Sequence, residues 1–193
     1  MTKEELIYTF ALGDGHIAQN RLEILHKAAH EEYLDWKIQL LSAMSIRTRK
    51  FKVSNNGYPA FKFYTRAHNW IGRLRRILYR DQEKNYEMFA NTLKDWKLAI
   101  LYMDDGSISS TNKKAVLTIS TCVNKDTNQY LIDAIKCKFD VSFGQRKMGN
   151  KYALICGTRE ARKFMTIVSP TVSQVKCMHY KLKVKNDSFV VDV

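Results

Sequence analysis

The chain has 193 residues, with 32 lysines and arginines against 19 aspartates and glutamates, a formal net charge of +13 and an isoelectric point near 9.6. Its 45% hydrophobic content, with aromatics making up 11% of the chain, supports a sizeable core and excludes a disordered basic tail, and no apolar stretch approaches the ~18 residues of a membrane span. The positive excess concentrates polyanions at the surface, so nucleic acid is the first partner to consider, ahead of an anionic membrane or an acidic protein.

Thr2, with Glu5 three residues on, predicts the N-cap of a helix through the apolar run Leu6 to Leu12, which Gly13 to Gly15 stops. A hairpin follows from Ile17 to Lys27, turning at Gln19-Asn20, and then a helix in EEYLDWKIQLLSAM whose Tyr33, Trp36, Ile38, Leu40 and Leu41 suit one face. The strands RTRKFKV and YPAFKFYTR flank Asn55-Asn56-Gly57, a strong turn signal because Asn and Gly tolerate positive φ. A helix from His68 to about Tyr79 ends this half.

The same order then recurs: a helix to Asp105, a hairpin through SISSTNKKAVLTIST, a helix in KDTNQYLIDAIKCKF, a hairpin through VSFGQRKMGNKYALIC and a helix in TREARKFMTIV. Tyr33-Leu34 is echoed by Tyr130-Leu131, and Thr65-Arg66 by Thr158-Arg159. The polar stretch Asp81 to Asn91 reads as the linker, dividing the chain into halves 1–90 and 91–193. The expected fold is α+β: two pseudo-symmetric αββαββα repeats, each with a four-stranded antiparallel sheet. One sheet face per half should stay exposed and polar, because so few helices cover only the other.

Two segments, LIYTFALGDGHI from Leu6 to Ile17 and KLAILYMDDGSI from Lys97 to Ile108, match at an offset of 91 residues. Each ends an apolar run on Asp-Gly, at Asp14 and Asp105. A single Asp-Gly reads as an ordinary helix stop; the matched pair calls for more. A carboxylate at a helix C-terminus sits at the negative end of the macrodipole, an unfavourable place unless a cation is near. Should the two helices pack side by side, the carboxylates would converge and repel, which a divalent metal would relieve. Oxygen ligands suit Mg²⁺, and the product would be a centre for metal-assisted phosphodiester cleavage.

Cys122, Cys137, Cys156 and Cys177 form no CxxC pair and read as buried free thiols. The acidic start MTKEELIYTF is unlike a secretory signal. A reducing interior (cytoplasm, organelle matrix or phage-infected cell) is therefore expected rather than secretion.

These segments resemble the single-chain, two-repeat LAGLIDADG homing endonucleases of the intron-encoded branch. LAILYMDDGSI is close to that branch's LAYWYMDDGS form, LKDW stands in the place of its L-T-P-x-S segment, and ALGDGHI is a looser first copy carrying Tyr8, Thr9 and Leu12 at less usual positions. The resemblance implies a site-specific, metal-dependent double-strand DNA endonuclease. Asp14 and Asp105 would be catalytic metal ligands, with Gly13 and Asp104 in the metal site, Asp104 chiefly as a cap or packing residue. Mg²⁺ is the expected cofactor; Mn²⁺ would substitute, and Ca²⁺ would bind without turnover. Gly15 and Gly106 would let the backbone approach DNA or cap the helices. Such enzymes place a lysine in each half near the scissile phosphates. MHYKL at Met178 to Leu182 is similar to the family's MxYKL segment and points to Lys181, and Lys84 in RDQEKNYE is the first-half candidate. His16 and His179 lie nearby but are not read as ligands.

Period-two alternation puts Lys62, Tyr64 and Arg66 on one strand face and Phe61 and Phe63 on the other, so the former set should meet DNA. Thr48, Lys50 and Lys52 are expected to join them, with Arg47 and Arg49 pointing away. Gln19, Asn20 and Arg21, at a hairpin tip, are also expected to meet DNA. In the second half the DNA set is Ser109, Thr111, Lys113, Lys114, Thr118 and Ser120, with Arg146, Lys147, Asn150 and Lys151 at the last tip. Because the halves differ at these positions, a monomer on a long, asymmetric duplex is expected. The alternatives are an intron-splicing maturase of the same fold binding intron RNA, and a noncatalytic regulator. A zinc His-Asn-His nuclease is disfavoured because the five histidines show no suitable pairing.

Overall fold

Thr2 and Glu5 cap the first helix reciprocally. The Thr2 hydroxyl accepts the Glu5 N–H at 3.1 Å and the Glu5 carboxylate accepts the Thr2 N–H at 2.9 Å. The computed structural model describes residues 1–80, 83–111 and 114–183, and divides into two units: Met1–Lys84 with Val175–Cys177, and Asn85–Gln174 with the residues from Met178 on.

The first unit contains α1 (Lys3–Leu12), β1 (Gly15–Ala18), β2 (Arg21–Lys27), α2 (Glu31–Ala43), β3 (Thr48–Asn55), β4 (Tyr58–Thr65), α3 (Asn69–Leu78) and a two-residue-strand hairpin of β5 (Tyr79–Arg80) and β6 (Glu83–Lys84). Its four-stranded sheet has the antiparallel order β1-β2-β4-β3. Asn56 and Gly57 both have positive φ, 51° and 82°, as a two-residue turn between twisted strands requires. The second unit contains α4 (Glu87–Asn91), α5 (Asp95–Asp105), β7 (Gly106–Thr111), β8 (Lys114–Val123), α6 (Lys125–Phe139), β9 (Gly144–Met148), β10 (Lys151–Gly157) and α7 (Thr158–Val172). Its sheet repeats the order as β7-β8-β10-β9. A 3₁₀ turn over Lys176–Lys181 follows α7.

The repeat extends to single side chains. Thr65 and Thr158 each accept a main-chain N–H from the second residue of the neighbouring central strand, Leu22 at 3.1 Å and Ala115 at 2.8 Å. Both signature helices are buried around their whole circumference, over Leu6–Leu12 and Lys97–Met103, as helices apolar on every side must be.

Two expectations need correction. On α2 the buried stripe is Tyr33, Leu34, Lys37 and Leu41, not the set containing Trp36, Ile38 and Leu40, because a lysine occupies a core position that an apolar count passes over. The stretch expected as the linker holds β6 and α4, which buries Phe89, and the division between the two units falls within it. Of the four free thiols only Cys156 is buried, its burial pushing its pKa up to about 12; Cys122 and Cys137 are exposed. Among the described residues no helix is long and apolar enough to cross a membrane.

Candidate functional site

The last carbonyls of a helix lack intrahelical partners and carry the negative end of its dipole. In each unit a lysine distant in sequence reaches these carbonyls. In the first, the β5–β6 hairpin brings Lys84 back to α1, where its ammonium donates to the carbonyls of Leu12 at 2.9 Å and Gly13 at 2.6 Å. In the second, the 3₁₀ turn presents the buried Lys181 to the end of α5, where its ammonium donates to the carbonyls of Gly106 at 2.9 Å, Tyr102 at 3.1 Å and Asp104 at 3.5 Å. Asp14 follows the C-cap Gly13, and Asp105 is the last residue of α5. The chain itself thus brings a cation to the negative end of each helix.

Asp14 is 38% exposed, and its Oδ2 lies 3.5 Å from Nδ1 of the buried His26. Register explains the approach: Gly15 pairs with Ile24, which puts His26 two residues farther along β2. Gly106 pairs with Ile119 in the same way, so the corresponding residue of the second sheet is Thr121. Both glycines are imposed by close approach. A β-carbon on Gly15 would lie 2.6 Å from the Phe10 carbonyl oxygen, and one on Gly106 2.5 Å from the Tyr102 oxygen and 2.0 Å from its ring. The donor set at each end, a carboxylate beside a main-chain carbonyl, suits a hard divalent cation such as Mg²⁺. His16, exposed, faces Glu23 at 3.7 Å, and His179 bonds the Ser173 carbonyl at 3.0 Å.

The outer face of the first sheet carries Arg21, Glu23, Lys62, Tyr64, Arg49 and Phe51, as the pairs Glu23–Tyr64, Arg49–Tyr64 and Phe51–Lys62 dictate. Glu23 is its hub, accepting from Arg21 at 2.6 Å and paired with Lys62 at 2.5 Å. Burial raises the Glu23 pKa, but the two cations outweigh it and hold the carboxyl below its usual range. The Arg21 guanidinium lies 4.8 Å over Tyr64, which contacts Phe51. Lys62 and Tyr64 share the face foreseen for them; Arg66 lies just beyond β4 and is exposed.

Thr48, Lys50 and Lys52 are on the opposite face, paired with Thr65, Phe63 and Phe61. Lys50 is held there by Glu31 at 2.6 Å and Asp35 at 2.7 Å on α2. Alternation alone does not show that the exposed Arg49 faces outward; the turn carries that signal, since a two-residue Asn56-Gly57 loop pairs Asn55 with Tyr58 and hence Arg49 with Tyr64. Gln19 and Asn20 are exposed at the β1–β2 turn, but a β-carbon on Gly72 would meet the Asn20 Oδ1 at 2.0 Å, so that amide lies against α3.

In the second sheet, Ser109 and the exposed Lys114 and Arg146 belong to the outer face with Ser120 and Lys151, and Thr111 pairs with Lys114. Thr118 shares that face but is only 7% exposed, between Ser107 and Ile155. Lys147 pairs with Tyr152 on the helix side, where the adjacent alternating position, Gln145, bonds Lys125 and Gln129 of α6. Asn150 is exposed in the β9–β10 turn, and Lys113 lies outside the described residues.

The family model described as the LAGLIDADG DNA endonuclease family matches residues 5–164. The chain is 28% identical over 200 residues to the protein RecA of Mycobacterium gastri, covering 92% of this chain and 46% of that protein; it thus spans under half the length of the curated relatives it matches. The homing endonuclease I-WcaI bound to its DNA recognition sequence has the same fold at a TM-score of 0.77 and 20% identity, over 95% of this chain and 86% of that one. Mesophilic variants of the homing endonuclease I-DmoI superpose at a TM-score of 0.57 and 13% identity, over 86% and 94%. With a family model spanning most of its length and the two-repeat fold in place, this chain belongs to the LAGLIDADG DNA endonuclease family.

Proposed function

We propose that this protein is a site-specific homing endonuclease that makes a metal-dependent double-strand break in a long, asymmetric DNA target, acting as a monomer whose halves, residues 1–90 and 91–193, each read part of the site. The observation that supports this most directly is the repeated construction of the signature helix end: a carboxylate, Asp14 or Asp105, beside carbonyls held by a lysine, Lys84 or Lys181.

Asp14 and Asp105, with the carbonyls of Gly13 and Asp104, would hold Mg²⁺, which when bound supplies Lewis-acid activation of water and of phosphate oxygens. Lys84 and Lys181 orient those carbonyls and offset negative charge at the phosphate being cut. The outer sheet faces bind the duplex, Arg21, Arg49, Lys62, Arg146 and Lys151 supplying cations and the serines and Tyr64 polar contacts to base edges and phosphates. The splicing-maturase alternative gains no support from these relatives; the family is described by DNA cleavage, and I-WcaI is bound to DNA.

Selection of cleaved sites from a randomised DNA pool in Mg²⁺ tests the proposal. A single long, non-palindromic consensus is expected from the wild-type protein and none from Asp14→Asn or Asp105→Asn, both of which should still bind the selected site. Cleavage retained by both variants would reject the assigned centre.

A further inference from the structure

Lys37 has no business in a core by composition alone: it is fully buried on α2, with its ammonium 4.2 Å above the Tyr33 ring and 5.4 Å from the Phe10 ring. Such a cation is retained where aromatic faces and an acceptor compensate its lost hydration. The acceptor is His26, whose Nε2 lies 3.3 Å from the Lys37 Nζ, while its other ring nitrogen faces Asp14 at 3.5 Å. Both contacts favour the same tautomer. A proton on Nε2 would set donor against donor at Lys37 and a lone pair against the Asp14 carboxylate; a proton on Nδ1 satisfies both.

We propose that His26 is a positioning residue for Asp14: Lys37 donates to Nε2, which leaves the Nδ1–H directed at the carboxylate and restrains its orientation. Coupling of this kind, from a buried cation through an imidazole to a carboxylate, acts as a second layer of support for a ligand. The second half is built differently. At the register equivalent of His26 stands Thr121, whose hydroxyl contacts Asn128 Oδ1 at 2.6 Å, and the position aligned with Lys37 through the Tyr-Leu echo is Ala134. The two carboxylates are therefore supported by unequal chemistry. On the proposed function, on which this consequence rests, the two DNA strands are cut with unequal dependence on His26.

The first test needs no activity. In the full chain labelled with ¹⁵N-histidine, free of DNA and metal, His26 is expected to show a protonated Nδ1 and a bare Nε2, and Lys37→Met to shift its tautomer population towards a protonated Nε2. A protonated Nε2 in the wild-type protein, or a tautomer indifferent to Lys37, overturns the proposal whether or not the protein cuts DNA.

The second test uses amide substitutes on a supercoiled plasmid bearing the selected site. The Asn amide nitrogen occupies the place of Nδ1 and the Gln nitrogen that of Nε2. His26→Asn should therefore stay within about threefold of wild type, whereas His26→Gln should slow one strand at least tenfold and accumulate nicked circle. Equal losses in the two variants, or equal slowing of both strands, would make His26 a core residue only.

Discussion

A single methyl group on Gly106 tests how tightly the end of α5 is built. The added β-carbon would lie 2.0 Å from the Tyr102 Cδ2 and 2.5 Å from its carbonyl oxygen, distances that real β-carbons do not tolerate. Tyr102 cannot simply swing aside. It is fully buried, its ring packs edge-on against Phe164 at 5.5 Å, and its hydroxyl donates to the Lys181 carbonyl at 2.7 Å. Overpacking of this kind costs about 1–3 kcal/mol. A displaced ring would also strip the buried hydroxyl of its partner, another ~1–3 kcal/mol. The backbone at Gly106, φ −86° and ψ 152°, suits alanine, so the loss of unfolded-state freedom returns ~0.4–1 kcal/mol. Gly106→Ala should therefore destabilise the protein by about 2–4 kcal/mol in equilibrium urea unfolding. Gly144→Ala is the control, since its nearest atoms are 3.8 and 3.9 Å away, and it should be neutral or stabilising by up to ~1 kcal/mol. Two variants within 0.5 kcal/mol of each other would refute the steric account.

The reassigned strand face separates two cations one residue apart: Arg49→Ala should weaken DNA binding about tenfold and reduce the salt slope by about one unit, whereas Lys50→Ala should leave affinity within about twofold because Lys50 serves Glu31 and Asp35. Anisotropy titrations across salt concentrations decide this, and equal losses would return Lys50 to the DNA face. Lys84→Ala and Lys181→Ala should each slow single-turnover cleavage at least tenfold while Kd changes less than about threefold; an unchanged rate in either removes that lysine from the reaction. Glu23 has a folded pKa below its unfolded 4.5, so its contribution is present above that pH and is lost as pH falls through the folded value. Wild type should lose more stability than Glu23→Gln below pH 4.5, and parallel unfolding curves would contradict the ion-pair assignment. Replacement of Mg²⁺ by Ca²⁺ should preserve binding and suppress cleavage, and equal cleavage in chelator would exclude a metal.

Elements whose signals are local were legible in the chain. The capping box at Thr2 and Glu5 and the Asn56-Gly57 turn specify geometry within three or four residues. The 91-residue offset between Asp14 and Asp105 likewise needs only the sequence, and with it come the doubled sheet order and the family. What escaped were matters of register and burial. Alternation tells that neighbours face apart but not which of them faces out, and only the pairing with Tyr64 and Phe63 assigns Arg49 to the outer face and Lys50 to the inner one.

The family resemblance named Lys84 and Lys181, but the carbonyls they reach belong to the same class. Lys84 reaches carbonyls 71 and 72 residues away, and Lys181 reaches those 75 to 79 residues away. The buried Lys37 meets His26 across two elements. Composition and periodicity describe what a residue prefers on average, namely solvent for lysine. Only the folded chain brings together the unpaired carbonyl, the aromatic ring and the imidazole that make an interior lysine the lower-energy choice.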